Sequence, residues 1–253
     1  PTVGNESIEA RKAILKAEGA KLTNANSVLI VGGGLIGTEL AGDVAFYKKQ
    51  NGKPVNVTLV HSGDHLCPEM SVKAAAMVQR KLEKVGVKVV LGDKASEKDG
   101  KMVLQKSGEV VDADEVVTTT GVQPLNQFMD SALLNDKGWV EVDDFFRVKG
   151  THGKIFSIGD CCTLLPNSGS QVLGNVPVLG KNIKIVLDAI QAGKPLGELK
   201  LKAHAHSPEV YVNTVGPKDG VAYTSICFTQ FLLPTFKNKT FFFFKAKSDL
   251  GLK

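Results

Sequence analysis

With 253 residues, 43% of them hydrophobic and 23% charged, the chain is long enough to bury a sizeable core and has the composition of a soluble globular protein of one large or two small domains. No apolar run approaches the length of a membrane span, and residues 1–25 carry Glu6, Glu9 and Glu18 with no apolar stretch of a secretory leader, which leaves a targeting segment upstream of Pro1 open. Four cysteines, none in C-x-x-C and two of them the adjacent Cys161 and Cys162, exclude a disulfide scaffold and fit a reducing compartment; the expected location is cytoplasmic, with a mitochondrial address left open. The formal charge of +5 is concentrated, since residues 196–253 hold eight lysines against four acids.

Ser7 to Leu22 place Ile8, Ile14 or Leu15 and Leu22 at helical intervals among charged residues, which predicts an amphipathic helix ended by Asn24-Ala25-Asn26. The branched apolar run Val28-Leu29-Ile30-Val31 then enters Gly32-x-Gly34-x-x-Gly37 and a helical pattern over Leu35 to Tyr47. This is the strand, turn and helix of a dinucleotide-binding unit. Gly32 permits the tight turn, Gly34 lets backbone approach a pyrophosphate, and Gly37 lets helix and strand pack closely. The helix N-terminus offers free N–H groups and a positive dipole to the phosphates. Asn51-Gly52-Lys53-Pro54 breaks the helix before a second strand, Val55 to Val60. An NAD-preferring site usually ends this strand in Asp or Glu, whose carboxylate repels a 2′-phosphate. Here His61-Ser62-Gly63 stands instead, so NADPH is expected to be accepted as well as NADH, unless Asp64 takes the acid's place or the loop makes no ribose contact.

Ser71 to Val85, with Val72, Ala75, Ala76, Val78, Leu82 and Val85 apolar, reads as a second helix stopped by Gly86, and Val87 to Leu91 as a third parallel strand. Lys101 to Gln105 and Glu109 to Asp112, separated by Ser107-Gly108, predict an inserted hairpin or small meander, after which Asp114 to Thr119 returns as a strand into Thr120-Gly121-Val122-Gln123-Pro124. Beyond Trp139 the pattern predicts a short buried strand, Ile155 to Ile158, ending in Gly159-Asp160. A helix over Val176 to Ala192 follows, with Ile183, Val186, Leu187 and Ile190 on its apolar face, then strands at Val210 to Val215 and Gly220 to Tyr223. His204 and His206 alternate on an extended segment with no third ligand in view, and are read as packing or solvated histidines; no metal site is expected. Phe228, Phe231, Phe236 and Phe241 to Phe244, interleaved with lysines, either form a core element or rest on an anionic membrane surface.

Three signals stand in fixed order: Val31-Gly32-Gly33-Gly34-Leu35-Ile36-Gly37-Thr38-Glu39, then Thr119 to Pro124, then Thr151 through Ile155-Phe156-Ser157-Ile158-Gly159-Asp160. The series resembles the pyridine nucleotide-disulfide oxidoreductase superfamily of two-dinucleotide flavoproteins. The absence of a redox C-x-x-C, with Ser207 to Val210 and Gly216 to Val221, most resembles its apoptosis-inducing-factor-like and ferroptosis-suppressor-like NAD(P)H:quinone reductases. The resemblance implies an α/β fold: a Rossmann-like FAD/NAD(P)-binding fold with an inserted β-meander and a small α+β C-terminal domain. The expected division is 1–26 as a lead-in helix, 27–125 as the NAD(P)H-binding domain, 126–195 as a returning segment of the FAD domain and 196–253 as an interface domain. Only 31 residues precede Gly32 where the family carries a whole FAD-binding unit, so the chain is expected to be a fragment, by itself inactive and without FAD.

Carried over by position, the resemblance implies that Gly32, Gly34 and Gly37 cradle the NAD(P)H pyrophosphate and that Glu39, in the first helical turn, lies near the nicotinamide or simply complements the helix dipole. It implies that Gly121 lets backbone approach the nucleotide, that Asp160 accepts a hydrogen bond from the FAD ribityl chain with Gly159 making room, and that a helix starting near Val176 points its N-terminus at the flavin. The activity so implied is hydride transfer from NAD(P)H to FAD and onward electron transfer to a quinone-like acceptor. No protein side chain is obligatory for the hydride step, so no catalytic residue is expected. Peripheral membrane contact and a homodimer stay open. The alternative is a non-catalytic nucleotide-sensing or nucleic-acid-associating module, against which a charge of +5 with no Arg-rich stripe argues.

Overall fold

A computed structural model describes residues 7–164, 168–205, 210–224 and 228–229. The chain divides into two compact units, one made of residues 1–120 together with 211–253, the other of 121–210. No helix among the described residues is long and apolar enough to cross a membrane.

The first unit is built on a parallel sheet of order β3-β2-β1-β7, with β1 at Val28–Val31, β2 at Val57–His61, β3 at Val87–Leu91 and β7 at Glu115–Thr118. All four residues of β1 are buried because both faces of the sheet are covered, which is why the strand is continuously apolar rather than alternating. Successive side chains point to opposite faces. Val28 and Ile30 enter the larger core, with Val44, Ala45, Val78 and Leu82 of the crossover helices, α2 (Leu35–Gln50) and α3 (Val72–Val85). Leu29 and Val31 enter a smaller core closed by Leu104 and Met102. The antiparallel meander β4 (Ala95–Lys98), β5 (Lys101–Leu104) and β6 (Val110–Val111) is therefore the cover of the second face, not a mere insertion. Strand β4 had no alternating apolar signal.

Helix α1 (Ile8–Asn24) forms, begun by Ser7 accepting from the Ala10 N–H, but it buries none of its residues. Ile8 and Leu15, expected on an apolar face, are 70% and 60% exposed, and only Leu22 at its end packs on the core. Helix α3 follows expectation: the Ser71 hydroxyl caps it and Gly86 ends it. The hairpin β8 (Val210–Val215) and β9 (Asp219–Thr224), with the short β10 (Phe228–Thr229), lies in the same unit. Tyr211, Val215 and Val221 are buried in the larger core, and Asp219 bridges Lys81 of α3 at 2.5 Å. The other phenylalanines of the aromatic cluster, Phe231, Phe236 and Phe241 to Phe244, and His206 lie outside the described residues.

The second unit corrects three expectations. Ile155 to Asp160 is not a buried strand: Ile155 is 44% exposed and the segment makes only a bridge between Phe156 and Arg147. A strand is buried by its neighbours, and here only the turn after Phe146 pairs with it. The helix expected from Val176 is α4, Gly169–Gln191, with Ser168 as its cap. Val176 therefore lies two turns inside the helix and does not start it, and Pro177 sits in its interior. The buried face differs in part. Val186 is buried as expected, but Leu187 and Ile190 are about half exposed, and Gln171, Asn175, Val178, Asn182 and Ala189 are the other buried residues.

The reason is hydrogen bonding. Asn175 donates to the Ala205 carbonyl and accepts its N–H, both at 2.8 Å, and Asn182 does the same for Lys202 at 2.8 and 2.9 Å. Seven residues apart, the two amides share one helix face and serve as strand-like partners for the extended chain beside α4.

Candidate functional site: the glycine turn

Val31 ends β1 and the chain turns at Gly32, whose φ of +118° suits glycine. A Cβ on Gly37 would stand 1.9 Å from the Gly32 carbonyl oxygen, so only glycine lets α2 approach this closely. Thr119, just past β7, seals the turn: its hydroxyl donates to Gly32 O at 2.9 Å. At Gly34 the environment is the reverse. A Cβ there would meet nothing within 4 Å, and Gly34 caps α2 without any side chain over the first-turn amides. The turn thus presents open space and unpaired N–H groups together, which fits the pyrophosphate of a dinucleotide.

Gly33, the variable position of the motif, is held from both sides. Its N–H donates to His61 Nδ1 at 3.1 Å, and its carbonyl accepts the Cys67 N–H at 2.8 Å. A Cβ on Gly33 would lie 2.6 Å from Leu66 Cδ2 and 2.7 Å from the His61 ring. Sequence reasoning missed Gly33, Leu66 and Cys67; the signal was a fourth glycine where the motif demands three. Burial holds the His61 pKa below its ordinary value, reinforced by His65 and opposed by Glu69 and Asp64. Burial also pushes the Cys67 thiol up to about 12, so it is a packing group rather than a nucleophile. Asp64, the alternative ribose ligand, is wholly exposed at the loop tip.

Glu39 is not in the first turn of α2, which holds no acid, but in the second. Its Oε1 accepts from the Thr214 N–H at 2.9 Å and hydroxyl at 3.0 Å, so it ties α2 to β8. Beside it the fully buried Thr38 donates to Gly34 O, and Asn213 donates to Thr38 Oγ1 at 2.6 Å and to Leu35 O. Asn213 Oδ1 is buried without a hydrogen-bond partner.

The remaining positions belong to the second unit. Gly121 has φ +75° and open space where a Cβ would stand. In the second unit Gly159 lies near Val172, and the Asp160 carboxylate is exposed with no partner among the described residues. Val176, inside α4, offers no helix terminus. No group of metal-ligating side chains occurs among the described residues; His204 packs its ring against Phe146.

Residues 2–193 match the family described as pyridine nucleotide-disulphide oxidoreductase. Among curated proteins, the chain is 26% identical over 256 residues to apoptosis-inducing factor homolog B of Dictyostelium discoideum, covering 91% of the chain and 65% of that protein. It is 26% identical to ferroptosis suppressor protein 1 of Xenopus tropicalis, with 91% and 62% covered. To the type II NADH:quinone oxidoreductase of Haemophilus influenzae it is 30% identical, with 60% and 37% covered. The structure of an FAD-dependent pyridine nucleotide-disulphide oxidoreductase from Desulfovibrio vulgaris superposes with a TM-score of 0.54 at 24% identity, over 79% of this chain and 49% of that one. The chain spans less than two thirds of the length of these relatives.

Proposed function

The chain belongs to the pyridine nucleotide-disulphide oxidoreductase family, and from that premise we propose that the protein is an FAD-dependent NAD(P)H oxidoreductase delivering electrons to a quinone-like acceptor. The carrying observation is the glycine turn, open at Gly34 and closed at Gly37. In this reading Gly32, Gly34 and Gly37 with the first amides of α2 hold the NAD(P)H pyrophosphate, and Gly121 gives the nucleotide a close approach to backbone. Residues 27–120 form the NAD(P)H-binding domain, and 121–205 contribute to FAD binding through Gly159 and the unpartnered Asp160 carboxylate. When bound, NAD(P)H supplies a hydride and FAD takes it up; the protein's part is to bind, orient and exclude water. The quinone rests on the similarity to the type II NADH:quinone oxidoreductase of Haemophilus influenzae.

Parallel titrations with NADH and NADPH, followed by fluorescence or heat, test the nucleotide half. With no acid at the end of β2, both should bind within about tenfold of one another. Flavin-reconstituted protein should then oxidise about one equivalent of NAD(P)H per flavin by itself and turn over when a soluble quinone is supplied. A protein that binds neither nucleotide would end this reading.

A further inference from the structure

We propose that His61 is a positioning residue of the glycine turn rather than a ligand of the nucleotide, and that its neutral form is required for nucleotide binding. This deepens the proposed function and rests on it.

A backbone amide can only donate, so the 3.1 Å contact from Gly33 N–H requires Nδ1 of His61 to be the unprotonated nitrogen. The ring is built into its place. A Cβ on Gly33 would lie 2.7 Å from His61 Cβ and Cγ, and a Cβ on Gly63 would lie 2.9 Å from Nε2, so both glycines leave room for the imidazole. The backbone of His61 is fixed as well, since its carbonyl accepts the Asp93 N–H. Gly33 is thereby clamped on both sides, the N–H of the Gly32–Gly33 peptide by His61 and the carbonyl of the Gly33–Gly34 peptide by Cys67. Gly33 immediately precedes Gly34, where the phosphate-facing amides begin.

Protonation of Nδ1 would put an N–H opposite an N–H. The bond would be lost and the two donors would repel, freeing the peptide whose orientation sets the turn. The charged neighbours of the ring, His65, Asp64 and Glu69, lie on its own loop, and Asp93 lies on the loop after β3 with its carboxylate already engaged by three backbone amides. From the glycine turn it is the uncharged Gly33 backbone that meets the ring, through its N–H at Nδ1. The ring is half-buried, so protons reach it. A folded pKa below the ordinary 6.5 means that the clamp is intact above that pH and is released as pH falls through the folded value.

The test uses ADP-ribose, which is stable in acid and carries the same pyrophosphate, titrated into the full chain from about pH 8 to about pH 5. Wild-type affinity should hold at the upper end and fall about tenfold across the acid limb. His61→Phe, which has no acceptor, should lose about tenfold at every pH. His61→Asn, whose Oδ1 stands near the position of Nδ1 and does not titrate, should recover most of the affinity lost in His61→Phe and lack the acid limb. His65→Asn should keep it.

An acid limb unchanged in His61→Asn, or abolished in His65→Asn, would overturn the proposal, as would wild-type binding by His61→Phe. A second readout needs no ligand: the Gly33 amide resonance should shift with the same midpoint as the His61 ring, whose Nδ1 should titrate as the bare nitrogen. If the Gly33 amide ignores the ring, the clamp is wrong whatever binds. If amide and ring move together but ADP-ribose never binds, the nucleotide reading fails while the clamp stands.

Discussion

A single carbon atom separates the roles of two glycines three residues apart, Gly34 and Gly37. At Gly37 a Cβ would collide with the Gly32 carbonyl, whereas at Gly34 it would stand in open space. Gly37→Ala should therefore cost about 3 kcal/mol or more in unfolding free energy, read by urea titration. Gly34, extended at φ −72° and ψ −174°, tolerates alanine, so Gly34→Ala should gain about 0.4–1 kcal/mol. The same methyl should weaken nucleotide binding about tenfold by occupying the phosphate's approach. A Gly34→Ala protein that binds NADH as wild type does would place the pyrophosphate elsewhere. At this scale the sequence conveyed the spacing of the three motif glycines but not the bond from Gly33 to His61, because 28 residues separate them and only the pairing of β1 with β2 brings them together. Lys48 is a parallel case: although a lysine, it is fully buried and donates to the Ala25 carbonyl.

Helix α3 and helix α4 differ in how readable they were. In α3 the cap, the apolar stripe and the terminal glycine agree, so periodicity sufficed. In α4 hydrophobicity pointed to Leu187 and Ile190, while the buried stripe carries Gln171, Asn175 and Asn182. Polar side chains win that face because the chain over 202–205 brings backbone groups that need partners. Asn175→Ala and Asn182→Ala each leave an N–H and a carbonyl unpaired, and each should destabilise the unit by about 1–3 kcal/mol per buried group. Amide exchange at Ala205 or Lys202 should quicken in the matching variant alone. Pro177 lies in the helix interior rather than in the first turn, where proline is favoured.

Across the first unit, residues distant in sequence share one core. Gly42 of α2 leaves no room for a side chain, because a Cβ would lie 2.8 Å from the Val215 backbone. Gly42→Leu should push the β8–β9 hairpin off α2, costing about 1–3 kcal/mol and making the segment after Tyr211 sensitive to protease. Acid should also act on this unit through Asp93. The Lys106, Ser107 and Lys94 amides hold its carboxyl below its ordinary value of 3.8. Its contribution is therefore present above that value and lost as pH falls through the lower folded value, and Asp93→Asn should flatten the acid-unfolding limb of the meander. Taken by itself, the amino-acid sequence determined the β-α-β unit, the parallel strands and the glycine turn, because each is written in local period and spacing. Tertiary structure alone decided that the meander covers the sheet's second face, that 211–224 rejoins the core of 1–120, that α4 buries amides, and that His61 faces Gly33. Those outcomes depend on unpaired backbone groups and bare surfaces that exist only once distant segments have met.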